Sequence, residues 1–189
     1  MKIYKINYFY NHIGGNLDNS EFLKKNYAYT YGELTYNGLE SILKNINCTN
    51  KIFYDLGSGK GNVIINSIKL SPSLNKSIGI ELSKQRYREA LEKLNSLSNS
   101  QKSKIKFLNE DILSNNINLN DADIIYISNL CFSDDINRQI AQKLDNEIKS
   151  GTIIFCSKKL PLTLKNELKQ ITVEQSWMKD SNLNCYKIL

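Results

Sequence analysis

Residues 54–62, YDLGSGKGN, place three glycines at alternate positions behind Asp55, at the point where an apolar run gives way to a helical pattern. A turn of this kind joins a first strand to a first helix, and three ligands compete for it: nucleotide phosphates, a dinucleotide, or S-adenosylmethionine. A phosphate-binding P-loop needs G-x-x-x-x-G-K-[ST]. Here Tyr54 stands where its first glycine belongs and Gly61 where its magnesium-binding hydroxyl belongs. A dinucleotide fingerprint, G-x-G-x-x-G, counted from Gly57 and Gly59, would put its third glycine at Asn62. What the chain carries is D-x-G-x-G-x-G. Asp55, at the strand end, can accept hydrogen bonds from an ammonium group, while Gly57 and Gly59 let backbone come close to a ligand, with Ser58 and Gly61 completing the expected cofactor loop. The amino-acid part of S-adenosylmethionine carries such an ammonium; a pyrophosphate does not.

Two further carboxylates suit a nucleoside. Glu81 closes the second apolar run, about twenty residues after the glycines, where an acid can hold ribose hydroxyls. Asp111 follows the third run in FLNEDI and can accept from an adenine amino group, with Ile112 against the ring. One acid alone is an ordinary turn or cap residue. Three at successive strand ends point to one ligand at the carboxyl edge of a parallel sheet.

The surrounding pattern supports that sheet. Short apolar runs alternate with amphipathic ones through KIFYDL, GNVIINSIKL, KSIGIEL, SKQRYREALEKLNSL, KIKFLNEDI, DADIIYIS, DDINRQIAQKLDNEI and GTIIFCS. This is βαβα order, which implies parallel strands covered by helices on both faces. Upstream, Leu34, Leu39, Ile42 and Leu43 have helical spacing. The tail departs from the alternation: PLTLKNELKQ reads as a helix started by Pro161, then ITVEQSWM and LNCYKIL as two strands of a hairpin separated by the turn-like KDSN, residues 179–182. The expected organisation is a lead-in with one helix over residues 1–45 and a cofactor-binding domain over residues 46–189, of a size that suits one core.

The chain has 189 residues, 41% hydrophobic and 23% charged, with a formal charge of +6. The positive balance favours acidic partners and permits weak contact with nucleic acid, although the lysines are scattered and form no block. Cys48, Cys131, Cys156 and Cys185 lie far apart, and His12 is the single histidine, so no metal site is expected. No run approaches the roughly 20 apolar residues of a membrane helix. The expectation is an intracellular protein, nuclear or cytoplasmic, with reduced thiols.

The stretches TYGELTYNGLESIL, FYDLGSGKGNVIINSIKL, GIELSKQRYREA, NEDIL, IIYISNLCFSDDINRQIAQKL and SGTIIFCSKKL together resemble the catalytic core of the disruptor-of-telomeric-silencing histone lysine methyltransferases. These have the seven-stranded Rossmann-like fold of class I methyltransferases rather than a SET domain. The resemblance covers roughly residues 27–189, and YGE and SNLCF carry it beyond the superfamily. It implies an S-adenosylmethionine-dependent protein-lysine methyltransferase acting on a histone, a nucleosome or another basic protein. It also implies that Tyr31, Gly32 and Glu33 close over the methionyl end, and that Ser128, Asn129 and Phe132 belong to the segment after the fourth strand. An aromatic pair lining the lysine channel then corresponds to Trp177 and Tyr186. Tyr31, Glu33, Ser128, Asn129, Phe132 and Tyr186 are therefore the expected catalytic set, with Tyr31, Glu33 and Asn129 also touching the cofactor. Two departures from the family stand out: Ser128 replaces the first asparagine of the family segment, and Leu130 its first phenylalanine. Two alternatives stay open: a methyltransferase of the same fold acting on RNA or a small molecule, and a catalytically weak cofactor-binding module. SNLCF lacks the prolines that often mark transfer to a nucleic-acid base amine.

Overall fold

In the computed structural model, Lys25 and residues 32–189 are described. In chain order the elements are α1 (Tyr36–Leu43), β1 (Ile52–Leu56), α2 (Asn62–Leu70), β2 (Lys76–Ile80), α3 (Lys84–Asn95), α4 (Asn99–Lys102), β3 (Ile105–Leu108), β4 (Ile124–Ile127), α5 (Asp134–Glu147), β5 (Ile153–Cys156), β6 (Asn166–Gln175) and β7 (Met178–Ile188). Seven strands among the described residues form one sheet in the order β3-β2-β1-β4-β5-β7-β6. All neighbours from β3 to β5 run parallel, and β7 is antiparallel to both β5 and β6. The chain leaves β1 toward β2 on one side, and β4 then returns to its other side. The carboxyl ends of β1 and β4 therefore flank a topological switch point, where open α/β sheets bind ligands.

Alternation along the strands separates two cores. Phe53, Ile124, Tyr126 and Phe155 face Leu39 and Ile42 of α1, Val63, Ile64 and Ile68 of α2, and Ala90 of α3. Tyr54, Leu56, Ile125, Ile127 and Ile154 point the other way, against Ile140, Ala141 and Leu144 of α5. Burial on both faces explains why these strands read as continuous apolar runs. Each fully buried leucine or isoleucine stabilises the fold by about 1.5–3 kcal/mol.

The helices start where side chains satisfy their free N–H groups. Thr35 Oγ1 accepts from Gly38 N at 3.1 Å, Ser83 Oγ from Arg86 N at 3.3 Å, and Ser133 Oγ from Ile136 N at 3.2 Å. Asp134 and Asp135 in the first turn of α5 complement its dipole.

The C-terminal segment corrects two expectations. Pro161 starts no helix: residues 161–165 are irregular and β6 begins at Asn166. Asp145 of α5 takes the backbone N–H groups of Thr163 at 2.8 Å and of Leu164 at 3.1 Å, which holds this segment against the sheet. Pairing with β7 from Asn166 to Gln175 then outweighs the helical pattern. The turn also lies elsewhere. Gln175 pairs with Met178, so Ser176 and Trp177 form the tip, and residues 179–182 run inside β7. The hairpin itself is present, shifted in register. Its tip has no glycine or asparagine because a tertiary partner holds it: Ser176 N donates to Glu33 O at 2.8 Å, and Glu33 N to Ser176 Oγ at 3.1 Å.

Candidate active site

A cavity of about 280 Å³ opens at the switch point. Asp55 enters it from the fourth position of β1, beside Gly79 of β2 and Tyr126 of β4 in the strand register. The residue is 2% exposed. Among the described residues nothing donates a hydrogen bond to it, and burial pushes its pKa well above the ordinary carboxylate range, with the charges of Glu33 and Glu81 adding to the rise. A cationic ligand would favour its ionised form and offset that burial.

The glycine loop follows. Gly57 N and Ser58 N both donate to Ile80 O at 2.9 Å, tying the loop to the end of β2. Gly57 adopts φ +95°, and a side chain there would project into open space. A ligand can therefore approach its backbone. Ser58 lies over Gly79, where a Cβ would come within 2.6 Å of the serine hydroxyl. Gly79 was not anticipated from the sequence, since a glycine inside a strand run signals close approach only once its neighbour is known. Gly61 caps α2 with its backbone at φ +77° and faces Phe107 and Ala90 rather than the cavity.

Glu81 lines the cavity and also braces the loop: Oε2 accepts from Gly59 N and Oε1 from Ser83 N, both at 2.8 Å. Each carboxylate oxygen has two lone pairs, so a group that braces the loop can also accept from ribose hydroxyls. Asp111 and Ile112 line the same wall. Asp111 Oδ1 accepts from Leu113 N at 2.9 Å, and Oδ2 is paired with Lys25.

Glu33 closes the opposite side. Its Oε2 accepts from Asn62 Nδ2 at 2.7 Å, and Asn62 Oδ1 accepts from Lys93 Nζ at 2.6 Å. Lys93 Nζ also donates to Lys60 O at 3.1 Å, so α3, the glycine loop and residue 33 share one chain of hydrogen bonds. Neither Asn62 nor Lys93 was legible in the sequence, because their partners are distant. Gly32 lies against Trp177, where a Cβ would fall 2.4 Å from the indole ring. Tyr31 lies outside the described residues.

The segment after β4 completes the wall with Ser128, Leu130, Cys131, Phe132 and Ser133. Asn129 is not on it. Its fully buried amide donates to Asn137 Oδ1 at 2.7 Å and to Lys158 O at 2.9 Å, and accepts from Lys158 N at 2.8 Å. Asn137 in turn donates to Phe132 O and Ser133 O, at 3.1 and 3.0 Å. Asn129 therefore shapes the segment from behind. Tyr186 is likewise absent from the wall: its hydroxyl donates to Leu160 O and accepts from Leu160 N, both at 3.1 Å, within the core on the α5 side. The sequence reading placed both at the cavity, yet Asn129 is engaged by Asn137 and the Lys158 backbone, and Tyr186 by the Leu160 backbone. Trp177 and Phe132 remain as its aromatic walls.

Two buried hydroxyls on this cavity, those of Ser58 and Tyr126, lack partners among the described residues, and no hydrogen bond offsets the burial of the Asp55 carboxyl beside them. Buried polar groups are almost always paired. Their convergence, with the open approach at Gly57, fits a ligand with an ammonium end. Among the described residues no group of His, Cys, Asp and Glu side chains is placed to hold a metal ion, and no helix is long and apolar enough to cross a membrane.

Comparison with solved structures places this fold among methyltransferases. Mitomycin 7-O-methyltransferase MmcR matches with a TM-score of 0.63 at 12% identity, over 82% of this chain and 54% of that one. The methyltransferase domain of bacterial CtHen1-C matches with a TM-score of 0.58 at 11% identity, over 81% and 97%. The glycopeptide N-methyltransferase MtfA, complexed with S-adenosyl-L-methionine, matches with a TM-score of 0.51 at 12% identity, over 79% and 75%. These identities speak to the fold alone, and the chain spans about half the length of MmcR. No curated protein matches it. The family model for the histone methylation protein DOT1 matches residues 17–187, and the chain belongs to the DOT1 family.

Proposed function

We propose that this protein is an S-adenosylmethionine-dependent methyltransferase whose acceptor is the side-chain amine of a lysine in a histone or another basic protein. The observation that carries the reading is the set of unpartnered polar groups around Asp55 at the switch point. The cofactor supplies an electrophilic methyl group on a sulfonium. The protein's own residues hold and orient. Asp55 takes the ammonium of the methionyl end, the backbone at Gly57 and Gly59 lies along it, Glu81 receives the ribose hydroxyls, and Asp111 with Ile112 receives the adenine. Glu33, anchored through Asn62 and Ser176, closes over the methionyl end.

Charge suits the donor, and apolarity the acceptor. Glu33, Asp55, Glu81, Asp111 and Arg86 line the cavity, a balance that suits a cofactor with ammonium and sulfonium charges better than a phosphate. Leu130, Phe132 and Trp177 supply apolar walls. Free lysine has a pKa near 10.4, so presenting its neutral amine at pH 7 costs roughly 4.6 kcal/mol. A desolvated approach beside a sulfonium charge lowers that cost by burial and by repulsion. No general base is assigned; alignment alone can contribute several kcal/mol.

The test is to incubate the protein with labelled S-adenosylmethionine and, separately, nucleosomes, free histones, total cell protein and RNA, and to map the label by mass spectrometry. Label on a protein lysine is the expected result. Label on RNA alone overturns the lysine reading, and cofactor binding without transfer to any acceptor favours a binding module, for which Ser128 is the sequence argument.

A further inference from the structure

Tyr126 has no role in the site as the sequence motifs describe it, yet it is the most conspicuous unsatisfied group in the cavity. It sits in β4 directly across from Asp55 in the parallel register, so the two side chains leave the sheet on the same face. The residue is 2% exposed and lines the cavity. Among the described residues no group meets its hydroxyl in full hydrogen-bonding geometry, although the Ser128 side chain stands close enough to pull its pKa down against the larger effect of burial. Burial pushes its pKa far up, with the charges of Asp55 and Glu33 contributing, so the hydroxyl stays neutral and keeps its lone pairs. A ligand carboxylate is disfavoured next to two protein carboxylates. A ligand ammonium is favoured there, and its three N–H donors diverge, so a carboxylate on one side cannot meet them all.

We infer that the Tyr126 hydroxyl is a cofactor-binding group, accepting a hydrogen bond from the ammonium of the methionyl end beside Asp55. The hydroxyl's own proton then turns toward Ser128 Oγ. This rests on the cofactor reading above and deepens it: the apolar-looking run IIYI contributes a polar contact that no glycine or acid motif announces.

The experiment titrates the full chain and Tyr126→Phe with two probes, S-adenosylhomocysteine, which carries the amino-acid end, and 5′-methylthioadenosine, which lacks it, and melts both unliganded proteins. Tyr126→Phe should weaken S-adenosylhomocysteine about tenfold, the size expected for a hydrogen bond to a charged group, and leave 5′-methylthioadenosine unchanged. The unliganded variant should melt no lower than the parent, because it loses an unsatisfied group. Unchanged S-adenosylhomocysteine affinity overturns the inference. Equal weakening of both probes overturns it too, by assigning the hydroxyl a purely structural effect. If the parent chain binds neither probe, the cofactor reading falls and the inference with it.

Discussion

At the scale of single residues, the site is governed by what each polar group is left to do. Asp55 and Asn129 are both buried near the switch point, but Asn129 has both amide N–H groups and its oxygen engaged by Asn137 and Lys158, whereas Asp55 makes no hydrogen bond among the described residues. That difference gives Asp55 a pH dependence with a definite sign. Its folded-state pKa is raised, so the unliganded fold binds a proton more tightly than the unfolded chain. The stability this contributes is present at low pH and is lost as pH rises from the ordinary carboxylate range through the raised pKa. An ammonium ligand favours the ionised form instead. Cofactor affinity should therefore rise with pH across that interval, with proton release on binding, and Asp55→Asn should bind weakly with a flat profile. Calorimetric titration in two buffers of different ionisation enthalpy measures both; affinity that falls with rising pH would sink the account. Asp55, Glu81 and Asp111 were legible in the sequence because strand-end position is a local property. That Asn129 and Tyr186 stand off the cavity lining was not legible, because whether an amide or hydroxyl is engaged depends on backbone groups 26 to 29 residues away.

At the scale of elements, the hairpin of β6 and β7 teaches most. The strands from β1 to β5 were readable because each is a short apolar run bounded by turn signals. The segment from Pro161 to Gln170 carries a helical start signal and a mixed surface, and only pairing with a strand later in the chain decides its state. The tip was missed for a related reason: residues 179–182 have turn composition, but Glu33 fixes the turn at Ser176 and Trp177. One residue near the tip is at odds with its surroundings. Gln175 is 2% exposed, and neither its amide nitrogen nor its oxygen has a partner among the described residues. Methionine has similar length and no such groups. Gln175→Met should stabilise the protein by about 1–2 kcal/mol, since an unmet buried polar group costs of that order. Urea unfolding would show it as a higher midpoint at constant slope. A lower midpoint would mean that the amide is satisfied in solution.

At the scale of the whole molecule, the cavity is closed by two parts of the chain that are far apart in sequence. Residues 32–35 and the hairpin tip are stitched together by Glu33 to Ser176, Thr35 to Glu174 and the bridge of Leu34 with Gln175. Gly38 lets α1 settle on the same strand, since a Cβ there would lie 2.0 Å from Glu174 O. The seam ends at Gly32 against Trp177, the single tryptophan of the chain, which also lines the cavity. Its emission is thus a direct report on this closure. S-adenosylhomocysteine should change the intensity or wavelength of that emission in a saturable way, at a concentration matching its calorimetric affinity. Gly32→Ala places a methyl group inside the indole's contact distance and should force the two apart. The expected result is red-shifted emission without ligand, weaker cofactor binding, and little loss of global stability, because the core clusters on the two faces of the sheet are untouched. Unaltered emission and affinity in Gly32→Ala would show that the seam does not gate the site, and that Asp55 and the glycine loop hold the ligand without it.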